Sequence, residues 1–199
     1  MPKKADKEPL ILLGIFTALG LGAIYLATRK RDKPGESTPR GLRNSNPLNL
    51  KVPGGDRNPN YVNWKGEIVP SQDLPFSQFK SMFYGWRAAL KNLQSYRNLP
   101  DPRRTIGEII QLWDGPSDET NWNYVNYVVN RANEISNDYT YGVGKVLPGF
   151  NDQGELDTIK IYWPIAMAMA EFENGSDQTA AIAGSYSQFV DAIRDIRSA

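Results

Sequence analysis

Apolar residues recur with helical spacing through most of the chain. In Met82–Tyr96, MFYGWRAALKNLQSY, the residues Phe83, Trp86, Leu90 and Leu93 fall at three- and four-residue intervals and predict an amphipathic helix. A second helix is predicted over Thr105–Trp113, with Thr105 as N-cap and Glu108 as its capping-box partner. A third runs from Trp122 to Ile135. One or two more fill Gln178–Arg197, where Val190, Ile193 and Ile196 supply an apolar face. Between these lie segments rich in Asn, Pro and Gly. Residues 40–70 read as turns with a short hairpin around Tyr61–Ile68, and Asn137–Gly154 reads as a loop.

The densest apolar stretch is Ile161–Gly175, IYWPIAMAMAEFENG. From Ile165 to Ala170 it is apolar on every side, as suits a helix buried all round. Pro164 is expected in the first turn, where no backbone donor is lost. Asn174 and Gly175 are expected to end the helix through a left-handed cap. Just before that exit stand Glu171 and Glu173. Two positions on a helix subtend about 200°, so the two acids point nearly opposite ways, and each meets a different neighbour.

A separate hydrophobic block opens the chain. Leu10–Ala27, LILLGIFTALGLGAIYLA, has 18 residues and no charge, with Lys3, Lys4 and Lys7 before it and Arg29, Lys30, Arg31 and Lys33 after it. Its length predicts a single-pass transmembrane helix, placing the protein in a membrane through residues 10–27. The basic residues that follow favour a cytoplasm-facing C-terminal side. Residues 29–39, RKRDKPGESTP, form a polar linker. The expected layout is an anchor at 1–28, the linker at 29–39 and a helical domain at 40–199.

Composition narrows the chemistry. With 40% hydrophobic residues the chain can bury a core, and a net charge of +1 gives no electrostatic case for a nucleic-acid partner. Cysteine and histidine are both absent. That excludes disulfides, His-based zinc sites, cysteine nucleophiles and Ser–His–Asp triads. Neither metal nor cofactor is expected, and catalysis would rest on carboxylates, Tyr, Lys, Ser or Thr.

One ordered set of short motifs spans residues 40–176. It begins with Arg40–Leu50, RGLRNSNPLNL, and Trp64-Lys65-Gly66. Phe76, Phe79 and Gly85-Trp86-Arg87-Ala88 come next. Thr105-Ile106, Trp113, Glu119-Thr120, Tyr124-Val125 and Phe172-Glu173-Asn174-Gly175 complete it. In this order it resembles a family of phage virion-associated peptidoglycan hydrolases and lytic transglycosylases with a lysozyme-like domain. Two positions depart from that family's pattern: Leu48 stands where it has Gly, and Phe172 where it has His. A looser resemblance is to bacterial glucosaminidases and lytic transglycosylases. There the acid-bearing helix end precedes the Asn-rich loop, so the order here implies a circularly permuted form of the same core.

The resemblance implies a mainly α fold and an enzyme that cleaves the MurNAc–GlcNAc strands of peptidoglycan, serving genome entry or lysis. Glu173 matches the acid before Asn-Gly, and Glu171 does not. Held protonated by apolar neighbours, Glu173 would donate to the glycosidic oxygen. Tyr124 is the second implied catalytic residue, holding the N-acetyl group or steadying charge. Asn44, Asn46, Asn49, Trp64 and Asn174 are the implied substrate-binding residues. Candidates for a second carboxylate are Asp73, Asp114, Asp118 and Glu119. A single-acid scheme, completed by the substrate's own N-acetyl or 6-hydroxyl group, is favoured over one that needs a second carboxylate. Implied partners are peptidoglycan, a lipid membrane and capsid proteins, and the implied location is the membrane of a phage virion or otherwise the host cytoplasmic membrane. The runner-up reading is a virion structural or wall-binding protein that keeps the fold without the chemistry.

Overall fold

A computed structural model describes residues 38–52, 64–115 and 120–198. Among these residues are seven α-helices and one two-stranded antiparallel sheet. The helices are α1 (Arg40–Arg43), α2 (Met82–Tyr96), α3 (Ile106–Asp114), α4 (Trp122–Ile135), α5 (Glu155–Asn174), α6 (Thr179–Ala183) and α7 (Tyr186–Arg197). Strands β1 (Glu67–Ile68) and β2 (Gln78–Phe79) pair Glu67 with Phe79 and Ile68 with Gln78.

The core is built around α5. Every residue from Ile159 to Phe172 except Lys160 and Trp163 is buried, so the all-round apolar stretch is the central helix of the domain. It begins six residues before Ile161, and Pro164 therefore lies in its interior rather than in its first turn. Proline there withdraws the N–H that would bond to the carbonyl of Lys160, at a cost of about 3 kcal/mol. The Tyr141 hydroxyl offsets part of this. It donates to the Ile161 carbonyl at 2.8 Å and lies 3.4 Å from that of Lys160.

Other helices pack by the faces their sequences mark out. On α2, Trp86 is wholly buried and donates its indole N–H to Ser185 at 2.8 Å, while its ring meets Phe189 of α7 edge-on at 5.5 Å. Arg87 and Asp195 join the same two helices at 2.5 Å. The start of α3 is a complete capping box between Thr105 and Glu108. α4 lies antiparallel to α5. Tyr124 near its start stacks on Phe172, and Ile135 at its end lines a depression together with Ile159.

The expected fold class, a membrane helix followed by a lysozyme-like domain, is corrected to mainly helical. Among the described residues no helix is long and apolar enough to cross a membrane. The longest, α5, has 20 residues but carries Glu155, Asp157, Lys160, Glu171 and Glu173. Its apolar middle is covered by protein. The span expected at residues 10–27, and the linker up to residue 37, lie outside the described residues. Membrane residence, in a virion or in the host, is accordingly withdrawn.

Candidate functional site

The C-terminal end of α5 meets the Asn-rich loop that follows α1. Gly85 of α2 lets that loop approach: a Cβ there would stand 1.9 Å from the Ser45 carbonyl oxygen. Within the loop Ser45 and Asn49 adopt left-handed backbone, φ 50° and 51°. Asparagine tolerates that conformation better than most residues. Asn46 is fully buried. Its amide donates to the carbonyls of Leu50 and Ser77 and accepts from the Leu50 N–H, so it staples the loop and faces no solute. Leu48 packs into the core at 1% exposure, which gives this departure from the resembled pattern a packing role.

Asn174, the last residue of α5, clamps the loop to the helix. Its Oδ1 accepts from the Gly41 N–H at 3.0 Å, and its Nδ2 donates to the carbonyls of Pro47 and Ala170 at 2.8 and 2.9 Å. A Cβ at Gly41 would lie 2.2 Å from that Oδ1, so a larger residue there would push the Asn174 amide aside. Gly175, at φ 102°, then turns the chain out of the helix.

The two acids part company as their spacing dictates. Glu171 is 1% exposed and faces α4. Arg131 donates to it from Nε at 2.7 Å and from a terminal nitrogen at 3.1 Å. The Thr179 hydroxyl adds a bond at 2.7 Å and the Tyr127 hydroxyl another at 3.4 Å. Its hydrogen bonds to Glu171, joined by Glu134, raise the Arg131 guanidinium further, against the lowering by burial. Burial, joined by the Glu171 charge, pushes the Tyr127 phenol up to about 12.

Glu173 is half-buried on the other side of the helix. Asn49 Nδ2 lies 3.3 Å from its backbone carbonyl and 3.4 Å from its Oε2. The chain thus brings the expected acid and one of the expected asparagines together.

The remaining candidates fall elsewhere. Tyr124 is wholly buried, its ring stacked on Phe172 at 3.9 Å and 12°. Phe172 is 2% exposed and also meets Tyr127. Position 172 therefore points into the core, and the residue there packs. Asn44 is buried, donating to Asp73 at 2.8 Å and accepting from Gln78 at 3.0 Å. Trp64 is partly buried, and its indole N–H finds no acceptor among the described residues. Asp73 is ion-paired with Arg43 and Arg40 at 3.2 and 3.4 Å. Burial alone would raise its carboxyl, but the bonds from Asn44 and Arg43 outweigh that and hold it below the usual range. Asp114 accepts from Asn121 at 2.8 Å. Asp118 and Glu119 lie outside the described residues.

Sequence reasoning missed the Arg131 network. The signal was present: Arg131 stands seven residues after Tyr124 and four after Tyr127, on the stripe that faces α5. A charge on such a stripe calls for a buried partner.

No protein-family model matches the chain. Over 131 residues, 64% of its length, it is 33% identical to Protein P5 of Pseudoalteromonas phage PM2, and the match spans 76% of that protein.

Proposed function

This chain belongs to the family of Protein P5 of Pseudoalteromonas phage PM2, and we propose that it is a virion-associated glycosidase that cleaves the MurNAc–GlcNAc strands of bacterial peptidoglycan. Glu173 is its general acid. Supporting this above all is the division between the two acids at the end of α5. Glu171 is sealed in an ion pair with Arg131, while Glu173 stands half-exposed against the Asn49 loop. An acid that meets solvent on one side and protein on the other suits proton donation to a bound sugar.

In the single-acid scheme, the Glu173 proton passes to the glycosidic oxygen as the bond from C1 to that oxygen breaks. Positive charge develops over C1 and the ring oxygen. The 6-hydroxyl of the same sugar then closes on C1, and its proton returns to the Glu173 carboxylate, leaving a 1,6-anhydro end. Asn49 is the expected binding residue that lies beside Glu173, while Trp64 packs against the core. Asn44, Asn46, Asn174 and Tyr124 shape the scaffold that presents Asn49, because each is engaged within the protein or buried. Capsid proteins are the expected neighbours of such an enzyme in the particle.

Clearing of purified sacculi by wild type, Glu173→Gln and Glu173→Asp tests the reading. Wild type should clear the suspension and Glu173→Gln should not. Sacculi left turbid by folded wild-type protein, yet pelleting with it, would replace this reading with a wall-binding protein without catalysis.

A further inference from the structure

Asn49 carries an anomaly beside the proposed acid. Its Oδ1 is shut off from solvent and has no hydrogen-bond partner. A buried acceptor left without a donor is unfavourable, and its amide cannot simply be turned over to relieve this. The backbone carbonyl of Glu173, 3.3 Å from Nδ2, can only accept, so the NH2 group must face it. The same Nδ2 lies 3.4 Å from Glu173 Oε2, so the amide that carries Oδ1 sits beside the carboxyl. A carboxylic acid and a primary amide satisfy each other with two hydrogen bonds, N–H to one oxygen and O–H to the amide oxygen.

We propose that Asn49 is the positioning residue of Glu173, its Oδ1 accepting the proton of the neutral carboxyl and its Nδ2–H holding the carboxylate once that proton has gone to the glycosidic oxygen. The inference rests on the reading of Glu173 as general acid. It explains why a non-glycine residue is kept at φ 51°. The left-handed turn aims the amide at the end of α5. Other charged groups around this end are committed to different partners among the described residues. On α4, Arg131 faces Glu171 and Glu134. On α1, Arg40 and Arg43 contact Asp73. Tyr124 and Tyr127 flank Phe172. Asp177 sits over Gly175, and α6 carries no titratable side chain.

The test is a titration of the Glu173 side-chain carboxyl by carbon-13 NMR in wild type and in Asn49→Gly, which keeps the left-handed backbone and removes the amide. The variant loses a bond to each form, and at 3.4 Å the one from Nδ2 to the carboxylate is the weaker, so the midpoint should fall, by up to about one pH unit. In wild type the Asn49 side-chain amide signals should shift with that same midpoint, a readout that survives if Asn49→Gly fails to fold. An unchanged or higher midpoint in folded Asn49→Gly, or wild-type amide signals indifferent to it, overturns the proposal. Sacculus cleavage separates the two readings. Coupled titration without cleavage sinks the enzyme and leaves the Asn49–Glu173 pair, whereas cleavage without coupling does the reverse.

Discussion

Replacing Glu171 by Ala removes the buried partner of Arg131 and an acceptor for the Thr179 and Tyr127 hydroxyls. Breaking a buried ion pair by deleting one member typically costs about 3–5 kcal/mol. Arg131 is 30% exposed and keeps Glu134 at 2.9 Å, so it can turn toward water, and the lower end of that range applies. The hydroxyls of Thr179 and Tyr127 lose an acceptor as well, about 0.5–1.5 kcal/mol each where no water replaces it. The expected loss is about 3 kcal/mol, equivalent to a fall in Tm of about 6–12 °C for a domain of this size. Urea unfolding followed by tryptophan fluorescence measures it. The double variant Glu171→Met with Arg131→Met should recover most of the loss, since apolar side chains can replace a buried pair at little cost. A loss below about 1 kcal/mol in Glu171→Ala, or a double variant as unstable as the single, would refute the sealed ion pair. It would also reopen Glu171 as an acid available for chemistry.

Asn174→Ala removes two hydrogen bonds from α5 to Gly41 and Pro47 and a third within the helix, to Ala170, and should cost about 2–3 kcal/mol. Amide exchange at Gly41 should speed up with it. Gly85→Ala forces a Cβ to 1.9 Å from the Ser45 carbonyl, so the variant should melt well below wild type or fail to fold, and a Tm within 2–3 °C of wild type, about the effect of 1 kcal/mol, would contradict the close packing. Burial holds the phenols of Tyr127 and Tyr162 up at about 12. A folded-state value raised above the ordinary one near 10 contributes stability that is complete below pH 10 and is lost as pH climbs through 12. Melting temperatures should therefore fall across that window, less steeply in Tyr127→Phe. An equal slope in that variant would show that Tyr127 is not responsible.

Local signals in the chain were legible where local physics decides. Met82–Tyr96 and Trp122–Ile135 form helices over the bounds their apolar spacing sets, and Thr105 and Glu108 form their capping box. The start of α5 was misplaced because Pro164 reads as a first-turn residue. The Tyr141 hydroxyl, 20 residues from Ile161, offsets part of its cost in the interior. The opposite facing of Glu171 and Glu173 follows from helix rotation alone. What each acid meets does not, because Arg131 and Asn49 arrive from 40 and 124 residues away. The same distance hid the roles of Asn46 and Asn174. An asparagine in a turn-rich segment reads as a sugar ligand or a turn former with equal ease until its partners are seen.

Mass spectrometry of sacculi digested by the protein tests the account most directly. Fragments should carry 1,6-anhydro-muramic acid ends and should vanish with Glu173→Gln, while Glu173→Asp should leave only traces. Products with ordinary reducing ends would contradict closure by the 6-hydroxyl. Intact strands after prolonged incubation with folded wild-type protein, or undiminished cleavage by Glu173→Gln, would contradict the assignment of Glu173 altogether.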